Sequence, residues 1–225
     1  MGMTGPVGYP PTPAPQPKKR PVWVTGGATI VSFIVLLYVI ELFDSLNGHR
    51  LDDNGIRPLE TDGLMGIIFA PLLHSNWQHL IANTIPAVVL GFLMTLAGLS
   101  RFIYATAIIW IVGGFGTWLI GNIGAPNGVE TNHIGASGLI FGWLTFLLVF
   151  GLFTRNAWQI VVGVIVLFVY GGILLGVLPG TFGVSWQGHL CGAIAGVFAA
   201  YVLSGPERKA RELRKSRSQP PYLTS

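Results

Sequence analysis

Four polar residues stand inside otherwise apolar runs: Ser137, His189, His79 and Asn83. A serine hydroxyl becomes a nucleophile when a base removes its proton, and neutral imidazole suits that task. Attack on an amide carbonyl builds an oxyanion, which needs donors already in place. Ser137 follows Gly135 and Ala136 at the start of an apolar run, so its amide falls at a helix N-terminus, where backbone N–H groups have no intrahelical partner. His79 and Asn83 are four residues apart and share a helix face, from which both can donate to an oxyanion. The chemistry indicated is acyl transfer by a serine–histidine pair. The runs that hold these residues contain no acid, so a dyad is expected and not a triad.

The elements that must position these groups are membrane helices. The chain has 225 residues, 51% hydrophobic and 10% charged. A soluble domain carries roughly 25% charged residues, and the mean hydropathy of +0.61 points the same way. Apolar runs near the ~20 residues that cross a bilayer occur at Val22–Phe43, Trp77–Leu99, Phe102–Gly121, Gly135–Phe153, Ala157–Leu178 and Trp186–Ser204. The first is too long for a signal-peptide core and no small-residue cleavage site follows it, so it is expected to be retained. Residues 1–21 read as a disordered, Pro-rich tail, residues 22–204 as the membrane domain, and residues 205–225 as a basic tail. No internal repeat is evident, which disfavours a transporter built from inverted repeats.

Charge sets the orientation. With six spans, the two tails and the loops after spans two and four lie on one side, and they hold 11 of the 13 basic residues. Only Arg50 and Arg57 fall on the other side, with Asp44, Asp52, Asp53, Glu60, Asp62 and Glu130. By the positive-inside rule the tails are cytoplasmic. The net charge of +4 is thereby explained as topology, and no nucleic-acid partner is expected. Binding of the basic tails to anionic lipid is a secondary reading. Spans two, four and six then run in parallel from outside to inside, which puts His79, Asn83, Ser137 and His189 near the outer leaflet. Gly138 and Gly142 on span four, and Gly188, Gly192 and Gly196 on span six, repeat every four residues. Such faces let backbones approach closely in lipid. Their packing would bring Ser137 to His189, with Phe141 beneath the imidazole.

Together the elements resemble the rhomboid family of intramembrane serine proteases. The resemblance rests on His74-x4-His79-x3-Asn83 in span two, Gly135-x-Ser137-Gly138 with Phe141 in span four, and Gly188-His189-x2-Gly192-x3-Gly196 in span six. It covers about residues 22–204. Each motif alone is weak, but their order on successive outward-opening spans is specific. It implies an all-α, six-span bundle with Ser137 as nucleophile and His189 as general base. It also implies that His79, Asn83 and the Ser137 amide stabilise the oxyanion, and that His74 organises the first loop. The implied substrates are transmembrane or membrane-proximal segments of other membrane proteins in a bacterial plasma membrane, often near small residues, with no metal and no cofactor. Many rhomboids carry a Trp-Arg pair in the first loop. Here Gly55-Ile56-Arg57-Pro58 stands in that region and resembles a variant of actinobacterial members.

A serine opening a helix is more often a cap than a nucleophile, and Ser137 is set apart by its company. His49 and His133 lie in loops and take no role, and Cys191 reads as a small buried hydrophobe. A metal-handling protein using His74, His79, His133 and His189 lacks a His-Glu-x-x-His string and a span carboxylate on the same face. A catalytically inactive rhomboid-like protein that binds membrane clients is the nearest alternative, although such relatives usually lose the serine or histidine. Leu64–Leu73, too short to span, is expected to be interfacial or re-entrant. Span five, free of charge, is expected to move laterally to admit substrate.

Overall fold

A computed structural model describes residues 20–126, 129–180 and 183–218. Those residues are helical apart from loops and one isolated β-bridge. Six helices are long and apolar enough to cross a membrane: Val22–Leu46, Trp77–Leu96, Leu99–Ile120, Ser137–Thr154, Ala157–Val177 and Trp186–Leu203. They are spans one to six below. The expected all-α bundle of six spans is therefore present, with boundaries shifted for local reasons. Gly98, at φ +118°, ends span two early and lets span three begin at Leu99. Gly135, at φ +117°, cannot lie in a helix, so span four opens at Ser137. Span five is α-helical to Tyr170 and tightens to a 3-10 helix over Gly171–Val177. Span three carries a π-helical turn at Ile109–Gly113.

Span four is the centre of the bundle. Leu139, Ile140, Trp143, Leu144, Phe146 and Phe150 on it are all buried, whereas span five exposes Phe168 and Val169. Spans four and six meet along the glycine faces. A Cβ on Gly192 would overlap the Gly138 carbonyl, and one on Gly196 would overlap the Gly142 carbonyl. Thr145 Oγ1 donates to the Ala193 carbonyl across this seam at 2.7 Å. Only a residue without a side chain allows such an approach, and dispersion between close backbones supplies the attraction that hydrophobic burial cannot supply in lipid. Span one packs on span two, with Tyr38 and Thr84 hydroxyls 3.1 Å apart.

The first loop is held by backbone contacts in place of a Trp-Arg pair. Ile56 is buried and bridges to His133, with N–H to O distances of 3.0 Å in both directions. Trp110 Nε1 donates to the Ile67 carbonyl at 2.7 Å, and Trp118 Nε1 to the Glu60 carbonyl at 2.8 Å. Within Leu64–Leu73 lie two short helical pieces, Gly66–Phe69, packed on span three, and the 3-10 turn Ala70–Leu72, which holds Pro71 and packs on span four. Of the Pro-rich segment 1–21, only Arg20 and Pro21 are among the described residues. The basic segment after span six is helical over Gly205–Ser218, and residues 219–225 lie outside the described residues. Arg101 at the start of span three pairs with Glu207 on that helix.

Candidate active site

Gly135 sets the geometry of the serine. Its positive φ reverses the chain before span four, and its amide donates to the Ala70 carbonyl at 2.8 Å. His74, buried to 1% exposure, accepts from the Ala136 amide through Nε2 at 3.4 Å. Burial, with His79 alongside, pushes His74 down to about 3, so the ring is a neutral acceptor. The first loop thus grips both residues that precede Ser137.

Ser137 Oγ lies 2.9 Å from His189 Nε2. His189 Nδ1 lies 2.9 Å from the Gly176 carbonyl, at the 3-10 end of span five. A carbonyl only accepts, so the proton sits on Nδ1 and Nε2 is left to accept from the Ser137 hydroxyl. A backbone carbonyl therefore fills the place that a carboxylate holds in a triad: it fixes tautomer and ring orientation. Phe141 stacks on the imidazole, with ring centroids 4.1 Å apart and planes within 10°. Gly176 makes this possible, because a Cβ there would come to 2.9 Å from Phe141 Cζ and 3.2 Å from His189 Nδ1.

Span two carries His79 and Asn83. His79 Nδ1 faces Ser75 Oγ at 3.4 Å, and its Cε1–Nε2 edge lies against Gly135, where a Cβ would sit 2.8 Å from Nε2. Asn76 caps span two through the His79 amide at 2.9 Å, which fixes the turn that carries His79. Asn83 is buried, and its Nδ2 has no partner among the described residues. An unpaired buried amide costs free energy, about 1–3 kcal/mol, and such donors occur where a ligand completes them. Beside Ser137 and Gly138 lies a cavity of about 50 Å³ that also touches His133, Ser185 and Gly188.

The contacts bring together Ser137, His189, His79, His74, Gly135, Gly138, Phe141 and Gly192, whereas Asn83 is buried one turn further along span two than His79, with no contact to these residues recorded among the described residues. Two contributors had no sequence signal. Gly176 acts through its carbonyl, which every residue type possesses. His133, given no role from sequence, is buried between Ser185 Oγ at 2.6 Å from Nδ1 and Thr131 Oγ1 at 3.0 Å from Nε2. It joins the first loop to the start of span six, and its burial pushes it down to about 4. Ser185 in turn caps span six through the Gly188 amide at 3.1 Å, next to His189.

The Rhomboid domain family profile matches residues 61–206, from the first loop through span six. The chain belongs to the rhomboid family. Uncharacterized proteins of Mycobacterium tuberculosis and Mycobacterium bovis are each 69% identical to it over 217 residues, covering 95% of this chain and 90% of theirs. A Mycobacterium leprae relative, also uncharacterized, is 62% identical over 214 residues, 94% of this chain and 84% of its own. A protein of Acanthamoeba polyphaga mimivirus named as a rhomboid protein is 28% identical over 169 residues, 74% of this chain and 86% of that one. This rhomboid is an integral membrane protein with the family's intramembrane protease fold.

Proposed function

We propose that this rhomboid is an active serine endopeptidase that cleaves transmembrane or membrane-proximal segments of other membrane proteins. The observation that carries the reading is the pair of contacts on the two nitrogens of one imidazole, Ser137 Oγ to His189 Nε2 and His189 Nδ1 to the Gly176 carbonyl, both 2.9 Å. His189 takes the Ser137 proton as Oγ attacks the scissile carbonyl, and the Gly176 carbonyl steadies the imidazolium that forms. The oxyanion is met by the Ser137 amide, by His79 Nε2–H and by the otherwise unpaired Asn83 amide. His189 then returns the proton to the leaving amine. Water, activated by the same imidazole, releases the acyl-enzyme. The cavity of about 50 Å³ beside Ser137 favours a small residue at the cut.

The distribution of Lys and Arg supports a plasma-membrane orientation with both termini cytoplasmic and the site toward the outer leaflet. The exposed surface of span five, and its contact with His189 through Gly176, support entry of substrate by displacement of that span. No acid, metal or cofactor has a part in this mechanism. The test is reconstitution of the full chain in liposomes with a model substrate whose transmembrane helix contains small and helix-destabilising residues. The proposal expects cleavage by the wild type and none by Ser137→Ala or His189→Ala. Intact substrate with folded wild type would favour the client-binding alternative.

A further inference from the structure

Beyond span six the chain stays against the bundle and folds into the helix Gly205–Ser218. Six of its 14 residues are basic and two, Glu207 and Glu212, are acidic. A helix of this length, polar on nearly every face, is marginal in water unless something holds it. Its N-terminal half is pinned to the ends of three spans. Glu207 pairs with Arg101 at the start of span three. Arg211 Nη1 donates to the Phe153 carbonyl at 3.3 Å, at the end of span four. Arg208 lies over the Tyr201 ring of span six, 3.9 Å from its centroid, and donates to the Tyr201 carbonyl at 3.2 Å. Lys209, Leu213 and Arg214 on the helix are exposed, and so is Arg155, two residues past Phe153.

Aromatic side chains give the depth of this helix. Trp23, Tyr104, Trp158 and Tyr201 are exposed near the tail-side ends of spans one, three, five and six. Exposed Trp and Tyr at span ends mark the membrane–water interface, where lipid headgroups lie. Arg208 rests on one of these rings, so the helix begins at headgroup depth. The charge on this side is strongly one-signed. It holds 11 of the 13 basic residues and, of the nine acids, only Glu207 and Glu212, and Glu207 is committed to Arg101. Cytoplasmic leaflets carry anionic lipid, and clusters of about 4–8 Lys and Arg directly after a span attract its headgroups. The positive-inside rule asks only for basic residues in a loop. It does not require them on a helix fastened to three spans at headgroup depth. Leu213, 52% exposed between Lys209 and Arg214, suits the boundary between headgroups and acyl chains and has no use on a nucleic acid backbone.

We infer that the helix Gly205–Ser218, together with Arg155, is a docking face for the anionic headgroups of phospholipids in the adjoining leaflet. Arg155, Lys209 and Arg214 supply the exposed charge, and their guanidinium and ammonium groups donate to headgroup phosphate. Leu213 supplies the apolar contact. Through Glu207, Arg208 and Arg211 the bound leaflet holds together the inner ends of spans three, four and six. The inference rests on the orientation proposed above and not on protease activity.

The test reconstitutes the full chain in phosphatidylcholine vesicles that carry a trace of spin-labelled phosphatidylglycerol or of spin-labelled phosphatidylcholine. The motionally restricted fraction of each label reports its association with the protein. The inference expects phosphatidylglycerol to be preferred by roughly fivefold, the contribution of one basic residue near the surface. The preference should vanish at about 1 M salt, where the screening length is ~3 Å. The triple variant Arg155→Gln, Lys209→Gln, Arg214→Gln should lose it, and Arg50→Gln, on the opposite side, should keep it. In phosphatidylcholine alone the triple variant should melt as the wild type does, since the three side chains are exposed. No preference in wild type, a preference untouched by salt, or one retained by the triple variant would each overturn the inference. So would tight binding of a labelled oligonucleotide by wild type that shows no preference for phosphatidylglycerol, which would assign the face to nucleic acid. None of these readouts depends on cleavage, so a failed protease assay leaves the outcome unchanged.

Discussion

Gly192→Ala should damage this protein far more than one methyl group suggests. The added Cβ overlaps the Gly138 carbonyl oxygen and lies 2.8 Å from its carbon and 3.0 Å from its Cα. These are backbone atoms, so no side chain can swing away, and span four or span six must move. Overpacking of a well-packed core costs ~1–3 kcal/mol, and a clash with backbone belongs at the upper end. For a chain of this size about 3 kcal/mol corresponds to a melting drop of roughly 6–12 °C. The displaced residue adjoins Ser137, and a misplacement of about 1 Å can cost ~10²-fold in rate. The assay pairs tryptophan-detected melting with the rate of fluorophosphonate labelling, using Gly172→Ala as control. Gly172 has nothing within 4 Å of its Cβ position, so that variant should stay near wild type. Wild-type melting and labelling in Gly192→Ala would refute the close seam between spans four and six.

Further outcomes follow from single contacts. Asn83→Ala should cut kcat by ~10²–10³ while melting holds or rises, because an unpaired buried amide is removed; a lower melting point with intact kcat would make Asn83 structural. Ser137→Ala should abolish turnover with melting within a few degrees of wild type, checked by the same two assays. His133 has a folded pKa lowered to about 4, so its contribution to stability is complete above the unfolded value near 6.5 and is lost as pH falls through about 4. Melting from pH 7.5 to 4 should fall more steeply in wild type than in His133→Gln. His74 acts in the same direction and Asp52, raised to about 6 by burial and Asp44, in the opposite one. The comparison of variant with wild type removes both, and parallel curves would contradict the assignment. A cross-link between spans five and two should suppress cleavage of a transmembrane substrate, and undiminished cleavage would remove lateral gating.

What the sequence made legible was whatever depends on residue type. Apolar runs of membrane length mark all six spans, and polar residues within them stand out because lipid makes them costly. The glycine repeats on spans four and six foretell the seam, since no other residue serves there. Four features were hidden for physical reasons. The Gly176 carbonyl orients His189, but a carbonyl has no sequence signature, and the 3-10 turn that presents it lies inside an unbroken apolar run. The bridge from Ile56 to His133 joins residues 77 positions apart that share no pattern. The helix Gly205–Ser218 is strongly polar and offered no apolar run to read. The grouping of Asp44, His49 and Asp52 looked like ordinary outer-loop charge until the left-handed turn at His49 folded it together. The span boundaries moved where Gly98 and Gly135 take positive φ, which sequence does not encode uniquely.

The central claim is that Ser137 is an activated nucleophile and His189 is what activates it. Labelling of the purified full chain with a fluorophosphonate tests this without knowledge of the substrate. The account predicts a stable adduct on wild type, located at Ser137 by peptide mapping, and no adduct on folded Ser137→Ala or His189→Ala. Absence of labelling in folded wild type, both in detergent and in liposomes, or undiminished labelling of His189→Ala, would contradict it.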